Sequence, residues 1–132
     1  MEKFVKAFII ISIIYLGVAS VIGVGMLSVP NMLKYSFMHV HFMLLGWVSM
    51  MIYGVGYHIL PRFSGKQIKS IKIIEIQFYL ANIGLIGMTV TYTFNLNKAL
   101  ISSFGGLEVI AIMLFLYNMI ATLGPEAEKP NL

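Results

Sequence analysis

Four apolar stretches, each at least 20 residues long, limit this chain to folds that can live in a bilayer. They run over residues 4–27, 36–60, 71–94 and 100–123. A helix rises about 1.5 Å per residue, so about 20 residues cross roughly 30 Å of hydrocarbon. Lipid offers no partner to backbone N–H and C=O groups, so spans of this length must satisfy them internally as helices. Breakers separate the spans: Pro30-Asn31, then Pro61-Arg62-Phe63-Ser64-Gly65, then Asn95-Leu96-Asn97-Lys98. Gly124-Pro125 ends the fourth, and a short tail of mixed charge follows. The pattern predicts one all-α domain over residues 1–132, an integral membrane four-helix bundle. The first span follows Met1-Glu2-Lys3 and could pass for a secretory signal, with Val18-Ala19-Ser20 as a weak cleavage candidate. It is longer than the apolar core of a signal and reads as a mature helix.

Composition removes whole classes of function. The chain is 59% hydrophobic and 11% charged, against roughly 45–50% and 25% for soluble domains. It has no cysteine, which excludes disulfides, thiolate metal sites and Cys-based redox chemistry. The net charge of +4 does not point to nucleic acid, because the cations lie in short loops between apolar spans. Lys3, Lys6, Arg62, Lys66, Lys69, Lys72 and Lys129 fall on one side of the bundle, and only Lys34 and Lys98 on the other. The positive-inside rule then predicts an inner (cytoplasmic) membrane protein with both termini and the middle loop in the cytoplasm.

The chemistry concentrates in the second span, where His39-Val40-His41 opens the run HVHFMLLGWVSMMIYGVGYHILPRFSG. Residues two apart on a helix differ by about 200°, so the two imidazoles face nearly opposite sides. Polar groups in lipid are costly, and paired imidazoles there are candidate ligands for haem or metal; the bland alternative is a pair bonded to loop carbonyls. By the predicted orientation the pair lies one to two turns below the outer surface. His58 follows His41 by 17 residues, about 26 Å further along the helix, so the three histidines cannot share a site within one chain. At the inner interface His58 reads as structural or headgroup-facing, with metal binding as the alternative.

Glu108 is the carboxylate inside a span, placed by counting at roughly the depth of the histidine pair. It is a candidate to orient an imidazole, carry protons or ligate a second metal such as non-haem iron or copper, against a hydrogen-bonded structural carboxyl. Glu75, beside Lys72, reads as a helix-end surface charge. Arg62 reads as an interfacial anchor, too far from the pair to meet a haem held there. Lys34 and Lys98 lie nearer as propionate partners. Met32, Met38 and Met43 surround the histidines, and thioethers with imidazoles can bind copper(I), although methionines more often fill gaps between apolar helices. Gly17, Gly23, Gly25, Gly46, Gly54 and Gly56 permit close helix contact, and Tyr35 and Tyr92 fall near the outer level.

The H-x-H pair, the Leu44-Leu45-Gly46-Trp47-Val48 step, the Gly-rich stretch and the Tyr57-to-Arg62 exit together resemble the tenth transmembrane helix of the haem-copper oxidase catalytic subunit (subunit I), in its cbb3-type and nitric-oxide-reductase branch. The resemblance covers residues 39–65, about 27 of 132. It implies that one histidine of the pair binds a low-spin haem and the other a high-spin haem, and it carries over to His39 and His41 alone. The family's subunit has about twelve helices, and its copper ligands and cross-linked tyrosine have no counterpart here. Its pseudo-threefold arrangement implies a homotrimer in which three four-helix copies supply twelve helices and each pair faces its neighbours.

Three functional classes follow. The first is a membrane-embedded b-type haem protein, a minimal relative of that subunit, for electron transfer or for oxygen or nitric oxide binding or reduction, with a redox partner. The second is a copper- or haem-handling or oxidase-assembly protein. The third is a cofactor-free membrane assembly subunit.

Overall fold

The structure, a computed structural model, describes residues 1–125. The described residues are helical, with no strand. Four rods are long and apolar enough to cross a membrane: α1 (Lys3–Ser28), α2 (Pro30–Phe63), α3 (Ile71–Thr93) and α4 (Lys98–Leu123). One such helix overlies each of the four apolar stretches. The second differs most, because Pro30 does not hold the first two spans apart. It sits at the first position of a 3-10 turn, Pro30–Tyr35, that runs straight into α2, where its missing N–H costs nothing. At the other end Pro61 lies inside α2, two residues before its close at Phe63. Lys129 lies outside the described residues.

Both longer connections close with the same backbone device. After α2, Gly65 takes φ 64°, Gly65 N donates to Arg62 O and Lys66 N to Pro61 O. After α3, Asn95 takes φ 52°, Asn95 N donates to Tyr92 O and Leu96 N to Thr91 O. Each is a left-handed cap that satisfies the last carbonyls of its helix. Ser70 then caps the start of α3 through Ile73 N, and Asn97 caps α4 through Ala99 N.

The helices pair α1 with α2 and α3 with α4, and glycines set how closely. A Cβ at Gly84 would stand 2.9 Å from Phe104 O and 3.0 Å from Glu108 N, so α3 and α4 touch backbone to backbone. Gly46 and Gly54 let α2 lie on Tyr15, Ile9 and Val5 of α1. Between the pairs sits a core of Phe8, Tyr53, Tyr57, Ile74, Leu85 and Ala111. Phe115 of α4 reaches into it against both Tyr53 and Tyr57. The outward faces are apolar and exposed, as at Val21, Val24 and Leu27 of α1 and Val109, Met113 and Ile120 of α4. That is the distribution expected of a bundle with lipid around it.

Candidate functional site

The histidine pair sits where α2 changes its winding. Residues Ser36–His41 are α-helical, and Phe42–Ser49 form a π-helical segment that begins at the next residue. Met50 N accordingly reaches back to Leu45 O, and Ser49 Oγ donates to Leu44 O at 2.9 Å, both five residues away. Such wide turns concentrate at functional sites. Gly46, in its middle, is buried against the Tyr15 ring.

The two imidazoles face different neighbours. His39 turns to α1, where its Nδ1 lies 2.8 Å from Ala19 O and its ring rests over Gly23. His41 turns along its own helix: Nδ1 lies 2.8 Å from Phe37 O, and the ring stacks on Phe37 at 3.9 Å. Phe37 in turn stacks on Tyr92 of α3 at 3.8 Å. A carbonyl oxygen can only accept, so each Nδ1 must carry the proton. Each Nε2 then bears the lone pair, and it meets no hydrogen-bonding partner among the described residues. Both rings are half-buried.

The other candidates stand apart from this pair. His58 Nε2 pairs with Arg62 Nη1 at 3.2 Å at the termini-bearing end. Among the described residues no three His, Asp or Glu side chains gather where they could hold a metal ion. Glu108 is buried, 4% exposed, with Oε1 unpartnered. Its backbone meets α3 at Gly84, and eight residues, about 12 Å of helix, separate Gly84 from Tyr92 at the Phe37 stack. Lys34 Nζ lies over the Tyr35 ring at 5.0 Å and the Phe94 ring at 5.8 Å. Lys98 opens α4 at the same end. Met32 packs over Gly25, and Met38 and Met43 pack against the core.

Sequence reasoning missed three contributors: Ala19 O, the Phe37–Tyr92 stack and the π segment. Gly23 was the one signal, a missing side chain where a ring needs room.

No protein-family model matches the chain. Subunit CcoN1 of the cbb3-type cytochrome c oxidase of Stutzerimonas stutzeri is similar to it, 34% identical over 85 residues. The match takes in 60% of this chain and 18% of that protein, so the chain spans less than a fifth of the curated relative's length. Among its described residues the chain is thus all-helical, with four membrane-length helices, and it bears a distant similarity to a haem-copper oxidase subunit I.

Proposed function

We propose that this protein holds haem b within the membrane through Nε2 of His39 and His41, as a minimal relative of the haem-copper oxidase catalytic subunit. One observation carries the reading: a backbone carbonyl at 2.8 Å fixes Nδ1–H of each ring. Metal-ligating histidines characteristically donate their other ring N–H in this way, which sets the tautomer and raises ligand basicity. The donor set therefore fits haem iron. Gly23 leaves room beside His39, and the Phe37–Tyr92 stack holds the plane of His41. Lys34 and Lys98, at the same end, are the proposed partners of the propionates. Bound haem supplies a reversible one-electron carrier when two imidazoles ligate it, or a gas-binding site when one face stays open.

Within one chain the rings face different neighbours, His39 the α1 helix and His41 the Phe37–Tyr92 stack, so one haem is not bracketed by both. We propose a closed homotrimer of twelve helices, with haem between chains and a redox partner outside them. The proposed setting is the inner membrane with both termini cytoplasmic. Glu108 and His58 stand as separate candidates for a second metal, apart from the proposed haem pair.

A reduced-minus-oxidised visible spectrum of the detergent-purified protein tests the reading. It predicts a b-type α-band that His39→Ala and His41→Ala each diminish. Bound copper without haem would favour a copper-handling protein, and neither would leave a cofactor-free assembly subunit.

A further inference from the structure

A cavity of about 320 Å³ opens at the termini-bearing end of the bundle, remote from the histidine pair. Three helix ends line it: Val5 from the start of α1, His58 and Arg62 from the end of α2, and Ile71, the first residue of α3. Its walls therefore share one depth, that of the membrane–water interface. Val5, Pro61, Ile68 and Ile71 make one part of the lining apolar.

The charged part of the lining is Arg62, Lys66 and Glu2, with His58 beside them. Lys66 is already engaged, because its Nζ donates to Leu123 O at 2.9 Å and to Gly124 O at the close of α4. Arg62 is not. The ion pair among the described residues is Lys72 with Glu75, so Arg62 forms none, although Glu2 shares the cavity. The guanidinium's bond to His58, one turn earlier, occupies Nη1 and leaves the other donors available. A guanidinium fork matches the oxygens of a phosphate in a way a lysine does not.

We propose that this cavity binds the phosphate of an anionic phospholipid headgroup, with Arg62 as its ligand and His58 as the residue that positions Arg62. The interfacial depth and the apolar wall match a phosphate attached to glycerol and acyl chains better than a dissolved ion. Basic pockets between helix ends recognise headgroups in this manner.

The test is native mass spectrometry of the full detergent-purified chain with dioleoylphosphatidylglycerol or dioleoylphosphatidylcholine, beside thermal unfolding with inorganic phosphate. The wild type should retain phosphatidylglycerol in preference to phosphatidylcholine. Arg62→Gln should weaken that retention about tenfold, as expected for losing one charge-assisted contact, while Lys72→Gln, a cation outside the cavity lining, leaves it unchanged. Arg62→Lys, which keeps the charge and loses the fork, should bind less than the wild type. Equal retention of phosphatidylglycerol by wild type and both Arg62 variants overturns the proposal, as does equal retention of the two lipids. Stabilisation by inorganic phosphate without a lipid adduct overturns the lipid as occupant.

Discussion

At the scale of single residues, the imidazoles are held by atoms that carry no sequence signature. Ala19 and Phe37 contribute carbonyl oxygens, which any residue type supplies, so the pair was legible in the sequence and its fixation was not. Gly23 is where side-chain chemistry enters. A Cβ there would stand 2.8 Å from His39 Cε1, inside contact distance. Gly23→Ala should therefore push the ring aside and weaken haem retention roughly tenfold, about 1.4 kcal/mol, while the helical circular dichroism holds; unchanged haem titration would remove His39 as a ligand. Glu108 offers the opposite expectation. Since it stands about two turns deeper than the Phe37–Tyr92 stack, Glu108→Gln should leave the haem spectrum and haem content unaltered. A lost α-band in that variant would tie the carboxyl to the cofactor after all.

At the scale of elements, what the sequence reveals depends on whether the signal is local. Gly65 and Asn95 sit in the breaker segments read from the sequence, and they adopt the positive φ that left-handed caps need. Pro30 misled because proline both breaks a helix and starts one, and only the direction of the following chain decides between them. The π segment has no pattern of its own: Phe42–Ser49 reads as an ordinary apolar stretch. How α4 registers against α3 is hidden for another reason, because it is set by contact between two elements and not by a local pattern. That register rests on Gly84. A methyl there meets Phe104 O and Glu108 N, backbone atoms that cannot rotate away. Gly84→Ala should cost about 1–3 kcal/mol by overpacking, read as a lowered thermal midpoint in detergent. Gly17→Ala is the matched control, because a Cβ at Gly17 finds nothing within 4 Å, and it should stay within about 0.5 kcal/mol of the wild type.

At the scale of the whole molecule, four helices bury a modest core and leave apolar faces outward on α1 and α4. Lipid covers such faces, and so does another copy of the chain. The proposed trimer rests on the twelve-helix resemblance, and His39 and His41 hold their rings on different sides of α2 within one chain. It follows that haem and oligomer should be lost together. Size-exclusion chromatography with light scattering and Soret absorbance, recorded on one detergent-purified sample, reads chain number and haem in the same peak. Haem eluting only with a three-chain particle, and leaving it in His39→Ala and His41→Ala, is the predicted result; a single chain that keeps its full haem would contradict it.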